Sequence, residues 1–261
     1  MTTEIINNLF GIKESFELPQ ALLAKLLDRA EKDKLCKEFV KQGFNGNNDC
    51  LRDYFQENNA NRSNLKQDYT PDCLCKLISK LAPKSEKIID ICAGTGALSV
   101  GMDRDNFFQC EELSQMSIPV LLLNLALRNK NAVVLQKNVL LNEVQKVYKL
   151  SKADEFSDIE VVDTYEGNAT DVVISNPPYS LKWEPKSDPR FEGYDLAPAK
   201  ASDYAFVLDG LSRLSDVGKA FYILPAGVLF RGNAEGRIRK QLIENNLIDA
   251  VISLPENMFL N

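Results

Sequence analysis

The chain of 261 residues carries 31 Lys and Arg against 37 Asp and Glu, a net charge of −6, with 44% hydrophobic and 26% charged residues. That composition belongs to a globular chain, long enough for one large domain or one domain with a small appendage. There is no histidine, which excludes histidine general acid–base catalysis, Ser-His and Cys-His nucleophile pairs and histidine metal ligands.

Residues 1–68 read as a helical appendage. The spacing of Leu22, Leu26, Leu27, Cys36, Phe39 and Val40 predicts one helix over 18–42. A Gly/Asn cluster at 43–48 ends it, a short helix follows from Cys50 to Phe55, and polar residues 58–67 form a linker. From residue 69 the pattern changes. Strand-like runs at 87–92, 106–111, 132–136, 171–175, 219–224 and 247–254 alternate with helical stretches at 71–82, 97–103, 114–128, 141–150, 202–215 and 233–246. Alternation of this kind predicts a mostly parallel sheet with helices on both faces. The nearly continuous apolar strands fit burial on both sides. The six cysteines contain no Cys-x-x-Cys pair and have no histidine to join, so no metal is expected and the thiols read as reduced. The N-terminus lacks the pattern of a signal peptide. The longest apolar run, 118–127, is shorter than the ~20 residues that span a bilayer. A soluble, cytoplasmic protein is expected.

In such a sheet, ligands bind beyond the carboxyl ends of the strands. The first strand leads into Gly94-Thr95-Gly96, with Asp90 beside the turn. Two glycines permit a tight turn and close approach of a ligand. The run is neither G-x-G-x-x-G nor a Walker loop with its lysine, which weakens dinucleotide and triphosphate readings. It suits a ligand with a cationic or amine end, and serves equally as a plain strand–helix turn. The second strand ends at Glu111-Glu112. Glu111, closer to the strand, is the candidate for holding both hydroxyls of a ribose, although exposed acids are common at strand ends. The third strand is followed by Asn138, whose amide suits an adenine amine.

The fourth strand ends in Asn176-Pro177-Pro178-Tyr179. Two prolines make a rigid loop, and the residue before a proline is pushed to extended geometry. The Asn176 side chain and the Pro177 carbonyl then form two fixed acceptors beside the Tyr179 ring. Alkylation of a planar amine needs such a set. Its lone pair is delocalised, and two acceptors on its N–H groups favour a tetrahedral nitrogen and stabilise the charge that develops. An aromatic ring can stack on a base taken out of a duplex.

DICAGTG at 90–96, Glu111 and NPPY together resemble the class I S-adenosylmethionine-dependent amino-methyltransferases. Residues 66–71 resemble the Y/F-T-P motif that precedes the first strand in N6-adenine DNA methyltransferases. Residues 190–215 and 218–259 closely resemble the modification (M) subunit of type I restriction-modification systems. The resemblance covers about residues 66–259 and implies a Rossmann-like class I methyltransferase fold over 69–261. It implies that Tyr69, Thr70 and Pro71 close over the methionine moiety of S-adenosylmethionine. Asp90, Gly94, Thr95 and Gly96, with Ala97, would line its amino-acid and sugar side, Glu111 would take the ribose, and Asn138 would lie near the adenine. Asn176, Pro177, Pro178 and Tyr179 would hold the target amine, with NPPY favouring adenine N6. The implied partners are DNA and the specificity and restriction subunits. A protein glutamine amide or RNA guanine N2 poses the same planar-nitrogen problem, and an inactive M-like binding or assembly protein is a third reading.

The sheet of this class normally includes a seventh, antiparallel strand between the fifth and sixth. No sequence remains for it before residue 261, so exposed edges, self-association or a strand supplied by a partner are expected, with cofactor binding retained and DNA modification poor. The N-terminal region is also shorter than the family's helical domain. Segment 180–201 has no regular period and reads as a lid or DNA-facing loop. Arg231, Arg237, Arg239 and Lys240 form the most basic stretch, a candidate phosphate contact or a solvated helix face. Residues 1–68, 69–178 and 179–261 carry net −1, −4 and −1, which predicts weak DNA affinity for the chain alone.

Overall fold

The computed structural model describes residues 3–46, 51, 54, 70–102, 106–255 and 258. Tyr69, the linker and most of the expected helix at 50–55 lie outside the described residues.

Three helices lead the chain: α1 (Thr3–Phe10), α2 (Leu18–Leu27) and α3 (Arg29–Lys41). The single helix expected over 18–42 is therefore two. Asp28 takes an extended conformation and its carboxylate accepts the Glu31 N–H at 3.0 Å, an N-cap that starts a new helix. Then come α4 (Asp72–Leu81), β1 (Lys87–Ile91), α5 (Ala97–Val100), β2 (Phe107–Glu112), α6 (Ile118–Leu127) and β3 (Ala132–Asn138). The chain continues with β4 (Glu143–Ser151), β5 (Asp158–Val162), β6 (Thr170–Ser175), α7 (Asp203–Leu211), β7 (Leu214–Tyr222) and α8 (Asn233–Glu244).

The described strands form one sheet in the order β5-β4-β3-β2-β1-β6-β7. β3, β2, β1, β6 and β7 run parallel, as expected from the alternating pattern, whereas β4 and β5 are antiparallel and extend the edge at β3. Residues 141–150, expected as a helix, are thus mainly strand. Asn142 turns at φ +56, and β4 then pairs with β3 along its whole length, from Asn138↔Glu143 to Ala132↔Leu150. Tertiary pairing on an open strand edge overrides a mixed local pattern. Residues 247–254, expected as a strand, form no ladder. They follow α8 as irregular chain, exposed up to Pro255 except for Leu254, which packs on the core, and no described strand lies beside the outer edge of β7.

Side chains alternate between the faces with period two. Ile88, Phe108, Cys110, Val134, Val172 and Ile174 point to the face covered by α4 and α6, in one continuous core that also takes in α1, α2 and α3. Ile89, Ile91 and Val173 point to the other face, against Phe206 of α7. Every residue of α6 is buried, because the sheet lies on one side of it and α2 packs on the other. The apolar run at 118–127 is therefore the middle layer of the fold, as an all-round apolar helix must be. No described helix is long and apolar enough to cross a membrane. The boundary expected at residue 68 lies outside the described residues, and the helices before it share the core of the sheet.

Candidate functional site

A cleft enclosing about 1070 Å³, open solvent included, lies at the carboxyl ends of β1, β2, β3 and β6, where ligands bind in such sheets. Thr70, Gly94, Thr95, Ala97, Glu111, Asn138, Asn176, Pro177, Pro178 and Tyr179 all line it. Pro71, Asp90 and Gly96 do not line it, and Tyr69 lies outside the described residues.

These three residues act from behind the cleft wall. The Pro71 carbonyl accepts the N–H groups of Leu74 and Cys75 and so starts α4. Asp90 is fully buried beneath the glycine turn, where Oδ2 accepts the Ser99 hydroxyl at 2.6 Å. Burial pushes its carboxyl up to about 7, against the lowering effect of the Ser99 bonds. Gly96 adopts φ +92, and a Cβ there would meet Leu121 Cδ1 at 2.7 Å. Its role is the close approach of the turn to α6, where Asn124 donates to the Thr95 carbonyl at 3.0 Å. Gly94, at φ +57, faces open space, so the backbone there is bare to a ligand.

The two acids ending β2 fall on opposite faces. Glu111 points to the α7 side. Its Oε1 accepts from Arg213 at 2.5 Å and Gln109 at 2.8 Å, and Lys137 lies 3.3 Å away. Burial alone would raise its pKa, but Arg213 and Lys137 outweigh it and hold the carboxyl below the usual range. Arg213 also bonds Asp209, which joins Arg190, and Arg190 donates to the carbonyls of Val139 and Leu140 on the cleft wall. Glu111 Oε1 is thus taken up by a buried ion network, while Oε2 lies 3.3 Å from Lys137 Nζ and accepts no hydrogen bond among the described residues. Glu112 lies on the face of the glycine turn. Its Oε2 accepts the Gly94 N–H at 2.8 Å and its Oε1 the Ser114 N–H at 2.7 Å. Burial raises its pKa, partly offset by the N–H groups of Ser114, Gly94 and Leu113. The acid that meets the glycine turn is Glu112, where nearness to the strand had favoured Glu111. Its signal was the alternation: with Phe108 and Cys110 on the helix-covered core face, Glu112 shares that face and Glu111 does not.

The Asn-Pro-Pro-Tyr loop leaves β6 at Ser175, whose hydroxyl is anchored on the Ile91 carbonyl at 2.6 Å. The Asn176 amide nitrogen donates to Thr70 Oγ1 at 3.0 Å, and its Oδ1 accepts the Tyr179 hydroxyl at 3.0 Å. An amide with its nitrogen directed to Thr70 presents its oxygen as the acceptor end.

Segment 180–201 is packed rather than loose. Arg190 pairs with Asp188 within it and anchors it to Asp209 of α7, Trp183 donates to the Pro198 carbonyl, and Phe191 meets Trp183 edge-on at 5.9 Å. In the basic stretch, Arg231 is held by Asp203 and Glu235, and Arg239 donates to the carbonyls of Val228 and Arg231. Arg237 and Lys240 pair with Asp195 and Glu244 but are 64% and 72% exposed, the two of the four within reach of a phosphate.

The sheet order and the cleft at the strand ends define the class I S-adenosylmethionine-dependent methyltransferase fold. A structure from Listeria monocytogenes described as a class I S-adenosylmethionine-dependent methyltransferase superposes with a TM-score of 0.56 over 92% of this chain and 75% of that one, at 16% identity, a likeness of fold. The N-6 DNA Methylase family model matches residues 50–261, and the chain belongs to this family. It is 28% identical to the type I restriction enzyme MpnII methylase subunit of Mycoplasma pneumoniae over 213 residues, covering 73% of this chain and 37% of the relative. With the MjaIX methylase subunit of Methanocaldococcus jannaschii the identity is 26%, covering 74% and 35%. The crystal structure of a type I restriction-modification methyltransferase subunit from Streptococcus thermophilus matches with a TM-score of 0.62 and 33% identity, over 74% of this chain and 42% of that one. The chain spans little more than a third of the length of the M. pneumoniae and M. jannaschii relatives.

Proposed function

We propose that the cleft binds S-adenosylmethionine and that the chain directs its methyl group to the N6 amine of adenine in DNA, as the modification subunit of a type I restriction-modification system. The observation that carries this reading is the meeting of Glu112 and the glycine turn with Asn176, Pro177, Pro178 and Tyr179 in one cleft.

The residues present fit the cofactor. The charged side chains of the cleft wall are Glu111, Glu112 and Lys137, and Lys137 is paired with Glu111, a balance that suits a cationic ligand better than a phosphate. When bound, S-adenosylmethionine supplies an electrophilic methyl group on a sulfonium. Glu112 is the acceptor for the ribose hydroxyls, in place of Glu111. Gly94, Thr95 and Ala97 border the amino-acid and sugar side, Thr70 lies over it, and Asn138 with Leu140 borders the adenine. Tyr69 and Pro71 belong to the same closure. Asp90 and Gly96 shape the turn from behind.

Asn176 Oδ1 and the Pro177 carbonyl accept the N–H groups of the target amine. They orient its lone pair, take up part of the positive charge that develops as the methyl arrives, and leave the surplus proton to pass to water. No side chain of high pKa is needed, which agrees with a chain that has no histidine. Tyr179 gives the displaced adenine a face to stack on. The incoming amine competes with the Tyr179 hydroxyl at Asn176 Oδ1.

DNA, a specificity subunit and a restriction subunit are the partners of this reading, and the cytoplasm its location. The outer edge of β7 has no strand beside it among the described residues, and Val217 on β7 is exposed. An edge of this kind accepts a strand from another chain or from a second copy. The test is transfer of labelled methyl from S-adenosylmethionine to DNA by the chain together with a specificity subunit. Label in DNA, lost in Asn176→Ala, is the expected result. Label in protein or RNA alone, or transfer unaffected by Asn176→Ala, would overturn the assignment.

A further inference from the structure

The turn that closes the Asn-Pro-Pro-Tyr loop is strained. Ser180, directly after Tyr179, sits at φ +49, a region that a side chain with a Cβ disfavours. Residues held there persist when their surroundings over-determine them. Around Ser180 three elements converge to do this. Asp203, the first residue of α7, is fully buried, and its Oδ1 accepts the Ser180 N–H at 2.9 Å. Arg231, from the segment between β7 and α8, donates through Nη2 to Asp203 Oδ2 at 2.6 Å and through Nη1 to Ser180 Oγ at 3.3 Å. Glu235 of α8, itself buried, grips the same guanidinium with two bonds of 2.8 Å. Gly227 leaves the space that Arg231 occupies, because a Cβ there would stand 2.7 Å from Nη1.

We propose that Asp203 and Arg231 are positioning residues for methyl transfer: they hold Ser180 in the left-handed conformation and so fix where Tyr179 stands against Asn176. Neither lines the cleft. Their effect passes through the backbone of residue 180 to the Tyr179 ring, whose hydroxyl sits on Asn176 Oδ1. Without the clamp, Ser180 relaxes towards negative φ and carries Tyr179 away from the stacking position. Arginine is needed in the clamp because its planar fork reaches Asp203, Glu235 and Ser180 together, which a lysine ammonium cannot do. The inference rests on the methyl-transfer reading of the cleft.

The experiment compares Asp203→Ala, Arg231→Lys and each of these combined with Ser180→Gly. Glycine adopts positive φ without steric penalty, so it supplies the conformation that the clamp otherwise enforces. Arg231→Lys keeps the charge and serves where Asp203→Ala does not fold. The expected result is S-adenosylmethionine affinity unchanged in the single variants, kcat for adenine methylation lower by about 5- to 30-fold, the factor that the left-handed penalty represents, and most of that loss regained with Ser180→Gly. Hydrogen exchange at the Ser180 amide should speed up in Asp203→Ala. Losses that Ser180→Gly does not relieve, or a Ser180 amide equally protected without Asp203, would overturn the clamp. If the unaltered chain methylates no adenine, the functional reading fails by itself, and exchange at Ser180 still decides whether the clamp holds the loop.

Discussion

Glu111→Gln and Glu112→Gln are one residue apart and have opposite expected consequences. Glu112 accepts the Gly94 N–H of the glycine turn at 2.8 Å and the Ser114 N–H at 2.7 Å. As the ribose acceptor it forms charge-assisted hydrogen bonds worth about 1.5–3 kcal/mol each. A glutamine keeps one acceptor and turns an amide N–H₂ towards a donor. Losing one such bond to the ribose weakens cofactor affinity by roughly 10- to 150-fold. Glu111 sits instead among Arg213, Lys137 and Gln109, fully buried. Neutralising it leaves the guanidinium of Arg213 short of a partner, a change that costs about 3–5 kcal/mol in a buried network. For a chain of this size that lowers the unfolding midpoint by roughly 6–20 °C. Titration calorimetry with S-adenosylmethionine and thermal unfolding on both variants separate the two effects. If Glu111→Gln weakens cofactor binding as much as Glu112→Gln, with its melting point unchanged, the assignment of the two faces is wrong.

Asn176→Ala should reduce methyl transfer by about 10²-fold or more, the scale of one preorganised polar group at a developing charge, with cofactor affinity held within about threefold; single-turnover transfer and calorimetry read these separately. Asp90, with its carboxyl pushed up to about 7, keeps in the folded state a proton that the unfolded chain releases near 3.8. Its contribution is full below the unfolded value and is lost as pH rises through about 7. Melting curves from pH 5 to 8 should therefore fall more steeply for the natural chain than for Asp90→Asn. The pKa of Glu112 is raised by burial, and ribose hydroxyls favour its ionised form, so cofactor affinity should tighten as pH rises through that raised value and lose this dependence in Glu112→Gln. Arg190→Ala should remove the bonds to Val139, Leu140 and Asp209, lowering the unfolding midpoint by several degrees and loosening the adenine side of the cleft. An Arg190→Ala protein with unchanged melting and unchanged cofactor affinity would mean that Arg190 does not hold that wall.

The positions of β1, β2, β3 and β6 were legible in the sequence because parallel strands buried on both faces read as short apolar runs, and the rule that ligands bind beyond their carboxyl ends led to the cleft. The Asn-Pro-Pro-Tyr loop was equally legible, since proline restricts the backbone whatever surrounds it. What failed depends on pairing at a distance. LNEVQKVYKL spaces Leu141, Val144, Val147 and Tyr148 as a helix would, and became β4 because the open edge of β3 was there to pair with. β5 followed as its partner. Residues 247–254 have strand composition without a strand beside them, and composition alone makes no ladder. The break at Asp28 could have been read, since Asp28 and Glu31 have the spacing of a capping box. The preference for Glu111 followed nearness to the strand, whereas side-chain alternation along β2 sets which of the two acids meets the glycine turn. Arg231 stood out as a basic residue, but its pairing with Asp203 and Glu235 is visible only once α7 and α8 are folded against the loop.

The identity of the methylated nucleoside tests the central claim most directly. DNA treated with the chain, a specificity subunit and S-adenosylmethionine, then digested and resolved by mass spectrometry, should yield N6-methyladenine, and none with Asn176→Ala. Methyl groups found on cytosine, or DNA left unmodified while protein or RNA carries the label, would contradict the reading of the Asn176–Tyr179 loop as an adenine N6 site.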